Sequence, residues 1–272
     1  MSEDQTAHRE EIAATVAGSE RPPDSDSWYL DPLAALQKRD VHLELVRQWA
    51  SDLCPRIVVK TDAFEEANGD DRVLPHVDLG QRLSLGFDVE YRTVAKAERR
   101  HKDEAAKFIN ADARALAFRS NSIDLIISTS TLDHFETREE FVASIREFAR
   151  VLHSEGRMVF TIDNPWNPGY VPLYALFRLP FAPFKLGYTP TRARLDADLR
   201  DAGLTPTAWR PIIHNPRLIT TLILLALRKM FGASANGMVS TYLNLFAKCE
   251  FLPTRWFTCV FMAVCVTKNE PS

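Results

Sequence analysis

The chain has 272 residues, of which 46% are hydrophobic and 25% are charged, a composition typical of a soluble globular protein. Its length suits one large domain, or one domain with insertions. The formal net charge is −3 and the pI is near 6.2, which argues against a nucleic-acid partner because such proteins carry a basic excess. The seven His and four Cys residues show no CxxC or HExxH spacing, so no metal site is predicted.

Residues 1–30 are polar and acidic, with two prolines at 22 and 23, and we predict that they form a disordered arm. The first residues, MSEDQTAHREE, lack the apolar core of a secretory signal, so the expected compartment is the cytoplasm. The folded domain is predicted over residues 31–272. It opens with a helical segment over residues 32–53, where apolar residues recur on one face.

Short apolar runs alternate with helical patterns between residues 56 and 162. Five of these runs predict β-strands: RIVVK, RLSLGF, AKFIN, IDLIIS and RMVFTI. Two more strands are predicted near residues 205–213 and in the stretch WFTCVFMAVCVTK. Alternating strands and helices predict an α/β fold, a doubly wound and mostly parallel seven-stranded sheet with helices on both faces.

The helix before the fifth strand has a clear beginning and a clear buried face. Thr137 can cap it, and Glu140 three residues later completes a capping box. Spacings of three and four place four apolar residues on one face: Phe141, Ile145, Phe148 and Leu152. Gly156 is predicted to break the chain before the next strand.

Two insertions interrupt the pattern, at about residues 163–190 and 214–255. Between them we predict a helix with Thr189 as its cap, Pro190 at its first position and Gly203 beyond its end. The first insertion contains seven aromatic residues from Trp166 to Tyr188, and the second contains LITTLILLAL. They could form an apolar lid over a ligand or simply pack on each other, and LITTLILLAL could also touch a membrane peripherally.

Polar residues follow each of the five early strands, at the edge where ligands bind in a doubly wound sheet. They are Asp62, Asp88, Asp112, the segment 128–134, and Asp163 with Asn164. The turn after the first strand reads KTDAFEEANG and has no glycine before Gly69. The absence of GxGxxG disfavours a nicotinamide-dependent enzyme.

The stretch FINADARALAFRSNSIDLIISTSTLDHFETREEFVASIREFARVLHSEGRMVFTIDNP resembles the middle of a class I S-adenosylmethionine-dependent methyltransferase. The matching elements, in family order, are DA at 112–113, LAF at 116–118, IDLII at 123–127, LDHF at 132–135 and RVLHSEG at 150–156. The closing TRWFTCVFMAVCVTK is similar to the family's last segment, so the resemblance covers roughly residues 55–213 and 254–268. It departs at the first motif, where the family has an acid and GxGxG and this chain has KTDAF at 60–64.

The resemblance implies that S-adenosylmethionine is the cofactor. Asp62 would lie near the cationic methionine end, and Asp88 would accept hydrogen bonds from the ribose hydroxyls. The remaining cofactor-binding residues would be Asp112 and the Ala113 amide at the adenine, with Ser128 and Thr129 beside the sulfonium.

A general base is needed only when the acceptor is protonated at the working pH. His134 is the first candidate by position and His214 the second, although a lone His is more often a structural residue. The predicted function is methyl transfer to a small-molecule acceptor, apolar or glycosylated. The alternative is a non-catalytic ligand-binding or interaction protein that retains the fold without the cofactor loop. The sequence predicts no oligomeric state.

Overall fold

The computed structural model describes residues 31–170 and 187–269. The predicted arm at residues 1–30 therefore lies outside the described residues, as does the centre of the first insertion, residues 171–186. Four of the seven aromatic residues of the predicted lid fall in that gap. Trp166, Tyr170 and Tyr188 are described.

The strands form one seven-stranded sheet in the order β3-β2-β1-β4-β5-β7-β6. Strands β1 to β5 are parallel, and β7 runs antiparallel to both β5 and β6. This confirms the predicted doubly wound, mostly parallel sheet. The strands are β1 (Ile57–Thr61), β2 (Leu83–Asp88), β3 (Ala106–Asn110), β4 (Ile123–Thr129), β5 (Leu152–Asp163), β6 (Leu204–Ile212) and β7 (Phe261–Lys268).

Helices occupy the connections between the strands and most of the second insertion. The α-helices are α1 (Pro32–Ala50), α2 (Phe64–Asn68), α3 (Tyr91–Arg100), α4 (Arg138–Val151), α5 (Arg192–Asp201), α6 (Arg217–Phe231), α7 (Asn236–Ala247) and α8 (Arg255–Thr258). Short 3-10 helices lie at Leu74–His76, Leu132–His134, Gly232–Ala235 and Lys248–Phe251.

The apolar core has two main layers, one on each face of the sheet. Adjacent residues of β1 point to opposite faces, as the period of a strand requires: Val59 packs with α4, and Val58 packs with α1. Phe141, Ile145 and Phe148, predicted on one face of α4, are fully buried; Leu152, predicted on the same face, is also fully buried but is the first residue of β5. Because helices cover both faces of the sheet, the sequences of the central strands are nearly continuous apolar runs.

The predicted cap of α4 is confirmed, because the Thr137 hydroxyl accepts a hydrogen bond from the Glu140 amide at 3.2 Å. The Glu140 carboxylate pairs with Arg114 at 2.5 Å. The predicted break at Gly156 is found as an irregularity within β5: this strand begins at Leu152, but its register with β4 shifts between Leu152 and Arg157. A Cβ atom at Gly156 would lie 3.0 Å from the Asp124 carbonyl oxygen. The absence of a side chain therefore allows the backbones of β5 and β4 to come close together here.

The predicted start of the later helix is wrong by two residues. α5 begins at Arg192 and is capped by Thr191, whose hydroxyl accepts from the Arg194 amide. Thr189 instead accepts a hydrogen bond from the Tyr170 hydroxyl at 2.6 Å. Because Thr189 and Thr191 both suit a cap, the sequence alone does not separate them. Gly203 lies beyond the helix end with a φ of +82°, as predicted.

Candidate cofactor and acceptor site

The carboxyl ends of the parallel strands bring the predicted cofactor residues to one edge of the sheet. The strand order places the ends of β3, β2, β1, β4 and β5 side by side. Their polar residues follow in the same order: Asp112, Asp88, Asp62, the pair Ser128 and Thr129, and Asp163. The carboxylates of Asp112, Asp88 and Asp62 therefore lie side by side at the ends of β3, β2 and β1. The resemblance predicts the cofactor at this edge.

The turn after β1 is built without glycine. Asp62 itself adopts a φ of +61°, a left-handed conformation that Asp tolerates better than most residues. Its carboxylate accepts from the Phe64 amide at 2.8 Å, and the Asp88 carboxylate accepts from the Ala63 amide at 3.1 Å. Two amides that a glycine-rich loop would offer to a ligand thus bind the chain's own carboxylates.

Below this turn lies a buried cluster of charges, which we call the Lys60 network: Lys38, Lys60, Glu65, Glu66 and Asp71. Lys60 is fully buried, and its ammonium donates to Glu65 at 2.7 Å and to the Asp62 carbonyl oxygen at 2.7 Å. Lys38 reaches the other Glu65 oxygen at 2.7 Å and Asp71 at 2.9 Å. Glu66 accepts from the Val73 and Leu74 amides.

The charges of the Lys60 network stabilise one another. Burial acts to lower the pKa of Lys60, but Glu65 and Glu66 outweigh it and raise that pKa. Burial likewise acts to raise the pKa of Glu65, and the two lysines hold that pKa well below its usual range. Lys60 and Glu65 are therefore ionised at neutral pH. The network lies directly beneath the turn after β1 and is joined to it by the hydrogen bond from Lys60 to the Asp62 carbonyl oxygen.

Asp62 lies in an anionic environment. Its pKa is raised to about 6, mainly by burial and then by repulsion from Glu65 and Asp88, while Lys60 acts in the opposite direction. Neighbouring carboxylates repel each other when both are ionised, and a bound cation relieves this repulsion. This part of the site suits a ligand with a sulfonium or ammonium group.

Ser128 and Thr129 lie at the expected strand end, but their hydroxyls bond internally. The Ser128 hydroxyl accepts from Thr61 at 2.8 Å, and the Thr129 hydroxyl donates to Glu65 at 2.7 Å. Their predicted role beside the sulfonium stays a prediction. The next residue, Ser130, is only half-buried and has a φ of +55°. It is a pocket candidate that the sequence pattern did not single out.

Asp112 is already engaged by a cation. The Arg114 guanidinium donates to both Asp112 oxygens at 2.7–3.1 Å, and this hydrogen bonding lowers the pKa of Asp112. Asp112 must therefore share its oxygens with Arg114 if it also accepts from an adenine amine. Ala113 beside it is buried in the core.

A second group of carboxylates lies at the carboxyl ends of β4 and β5. Asp133 and Asp163 are both buried, and the Asp133 carboxylate accepts from the Asp163 amide at 3.2 Å. The pKa of Asp163 is raised to about 6 by burial, against the attraction of Arg217 and with added repulsion from Asp133. The Arg217 guanidinium lies 3.4 Å from Asp163. One buried oxygen of each carboxylate has no hydrogen-bond partner among the described residues.

The two predicted histidines differ in their surroundings. His134 is exposed, in the 3-10 helix after β4. His214 is buried after β6, where its Nδ1 lies 2.9 Å from the Thr258 hydroxyl and its Nε2 has no partner among the described residues. Burial lowers the pKa of His214, so it is neutral at pH 7. Over residues 31–170 and 187–269, no group of His, Cys, Asp or Glu could hold a metal ion.

A methyltransferase domain model matches residues 68–160 of the chain. No curated protein matches it by sequence. Among solved structures, geranyl diphosphate methyltransferase with S-adenosylmethionine has 14% identity and a TM-score of 0.57, covering 87% of this chain and 86% of that one. The N-methyltransferase NodS of Bradyrhizobium japonicum, with S-adenosyl-L-homocysteine, has 13% identity and a TM-score of 0.53, covering 96% and 98%. The [4+2]-cyclase SpnF has 16% identity and a TM-score of 0.55, covering 96% and 93%.

The match of residues 68–160 to a methyltransferase domain model and the doubly wound sheet both support the resemblance to class I S-adenosylmethionine-dependent methyltransferases. The family's cofactor is S-adenosylmethionine. The residues present fit the cationic and ribose parts of that molecule, because Asp62 and Asp88 supply half-buried carboxylates at adjoining strand ends. They fit its carboxylate less well, since the Ala63 and Phe64 amides already have acceptors.

Proposed function

We propose that the protein transfers a methyl group from S-adenosylmethionine to a small apolar acceptor. The observation that carries this proposal is the position of Asp62 and Asp88 at the ends of the neighbouring strands β1 and β2. The pKa of Asp62 is raised there, first by burial and then by repulsion from Glu65 and Asp88. Two carboxylates at adjoining strand ends have a physical reason to be present when the ligand is cationic.

The cofactor supplies a methyl group on a good leaving system, so positioning accounts for most of the rate enhancement. Asp88 would accept from the ribose hydroxyls, and Asp62 would stabilise the positive charge. Asp163 would take the proton of a hydroxyl or amine acceptor, because its raised pKa near 6 suits a general base at neutral pH. Asp133 and Arg217 would hold Asp163 in place.

The apolar character of the acceptor rests on the aromatic residues that follow β5. Trp166, three residues after Asp163, is exposed, and its ring lies edge-on to that of Phe257 with 6.3 Å between the ring centroids. The Tyr188 ring packs edge-on against Phe141 at 5.5 Å. Trp166 and Phe257 thus provide exposed aromatic surface after β5, which suits an apolar ligand, whereas Tyr188 packs on the core.

The alternative function is a ligand-binding protein without catalysis. It is favoured by one observation, that the turn after β1 satisfies its own amides instead of presenting them. Measuring cofactor binding by calorimetry separates the two functions. If the protein gives no heat and no thermal shift with millimolar S-adenosylmethionine, the non-catalytic function is correct.

We expect Asp88→Asn to weaken S-adenosylmethionine binding by about 1–3 kcal/mol, since the ribose hydroxyls lose a charged acceptor. Titration calorimetry at constant pH measures this change. Asp78→Asn is the matched control, because Asp78 is exposed before β2 and away from the carboxyl edge. Equal affinities of Asp88→Asn and Asp78→Asn for S-adenosylmethionine would show that Asp88 does not bind the cofactor.

Cofactor affinity should rise with pH from about 5 to 7. Asp62 has a pKa near 6 in the free protein, so its carboxylate is neutral below that pH and charged above it, when it attracts a cation. Calorimetry across this range should show the rise in wild type and a flat profile in Asp62→Asn. A wild-type affinity independent of pH would contradict the role of Asp62.

A further inference from the structure

The second insertion, together with the short helix α8 at its end, carries most of the exposed apolar surface of the described chain. Of fourteen large apolar side chains that are exposed, ten lie within residues 217–258. They are Ile219, Leu222, Leu225, Met230, Phe231, Met238, Leu245, Phe251, Leu252 and Phe257. A concentration of this size marks an interaction surface, since scattered apolar residues would need no explanation. We refer to these ten residues as the apolar surface.

The insertion is also basic in an acidic protein. Residues 217–258 contain five Lys and Arg residues and a single acid, Glu250, whereas the whole chain has a net charge of −3. Glu250 is paired with Arg210 at 2.5 Å. Lys229, Lys248 and Arg255 are exposed to solvent. The segment thus combines apolar exposure with positive charge, which suits an anionic partner.

The opposite side of the insertion is firmly attached to the domain. Leu224, Val239 and Leu243 are buried against Ala34 of α1. Arg228 pairs with Asp31 at 2.5 Å, and the Thr220 hydroxyl bonds to the Tyr242 hydroxyl at 2.9 Å, which joins α6 to α7. The apolar surface is therefore the outer side of an ordered helical layer, held in one orientation.

The helices are too short to cross a bilayer. Residues 219–251 have the length and mean hydropathy, 1.2, of a membrane span, but the chain turns at Gly232, where φ is +54°. α6 has 15 residues and α7 has 12, which correspond to about 22 Å and 18 Å against a hydrocarbon thickness of about 30 Å. Such helices lie along an interface instead of spanning it.

We propose that the apolar surface seats the protein on the face of an anionic lipid bilayer. Amphipathic helices with exposed Leu, Ile and Phe side chains and nearby Lys and Arg bind bilayers in this way, because apolar side chains enter the boundary while the basic groups meet anionic headgroups. Phe257 also contacts Trp166, close to Asp163. The bilayer face therefore adjoins the acceptor side of the sheet.

The test is flotation of the full-length protein with vesicles of phosphatidylcholine, with and without phosphatidylglycerol. We expect flotation with the anionic vesicles and a decrease of roughly tenfold or more in Leu222→Glu/Leu225→Glu, because two exposed leucines would no longer enter the interface. Val89→Glu/Tyr91→Glu is the matched control: both residues are 70% exposed but lie at the start of α3. Circular dichroism verifies that each variant is folded.

Three results would overturn the proposal. The first is the absence of flotation with either vesicle, and the second is equal binding to neutral and anionic vesicles. The third is an equal loss of binding in the two double variants. A dimer in sedimentation velocity that Leu222→Glu/Leu225→Glu converts to a monomer, without vesicle binding by wild type, would assign the surface to a second copy of the chain.

Discussion

Replacing Lys60 by methionine should lower the free energy of unfolding by about 3–5 kcal/mol, the cost of leaving a buried partner charge uncompensated. Methionine fills a similar volume, so the effect reports the charge and not a cavity. Lys60 is fully buried and holds Glu65 at 2.7 Å and the Asp62 carbonyl oxygen at 2.7 Å. Chemical denaturation with a constant m-value measures the change.

Two further variants make this prediction specific. Lys107→Met, on the exposed side of β3, should change stability by less than about 0.5 kcal/mol. Adding Glu65→Gln to Lys60→Met should recover part of the loss, because the remaining buried charge is then removed. If Lys60→Met unfolds like wild type, the Lys60 network does not support the turn. If that variant fails to fold, Lys38→Met provides a milder test, because Glu65 retains Lys60.

Asp163→Asn should reduce methyl transfer by roughly 10²- to 10⁴-fold, the usual contribution of a general base. The substitution preserves shape but removes the ability to take a proton. With saturating S-adenosylmethionine, the wild-type rate should also rise with pH through about 6, where Asp163 becomes ionised, and this rise should be absent from the variant. The assay measures S-adenosyl-L-homocysteine released with a panel of lipophilic phenols.

Asp198→Asn is the control for burial. Asp198 is as buried as Asp163 and pairs with Arg138 at 2.6 Å, but it lies on α5, away from the strand ends. The Asp198→Asn variant should be less stable than wild type, but its turnover per folded molecule should be unchanged. The predicted bases His134 and His214 are tested as glutamine variants. A rate that survives Asp163→Asn but not His214→Gln would move the base to His214.

The sequence was sufficient for the fold because the pattern of β1 to β5 is repetitive and local. Dense Val, Ile and Phe runs such as IDLIIS can be buried on both faces only in the middle of a sheet, and the α4 face is fixed by a period that needs no tertiary information. The order of strand-end acids likewise follows from the parallel topology.

The Lys60 network could not be read from the sequence, because its partners come from separate elements. Lys38 lies on α1, Lys60 on β1 and Glu65 on α2. Only the fold brings these side chains together, and a lysine within an apolar strand was the single local sign. Asp163 was visible as a strand-end acid, but its pairing with Asp133 and Arg217 depends on three separate segments.

The position of β7 affects how the protein is made. This strand is the last along the chain, yet it lies between β5 and β6 and pairs with both. A nascent chain that has not yet reached residue 261 has no partner for the open edge of β5, and unpaired strand edges favour association with other chains. Strands β1 to β5 can assemble during translation, whereas β6 joins the sheet only after residues 261–268 leave the ribosome.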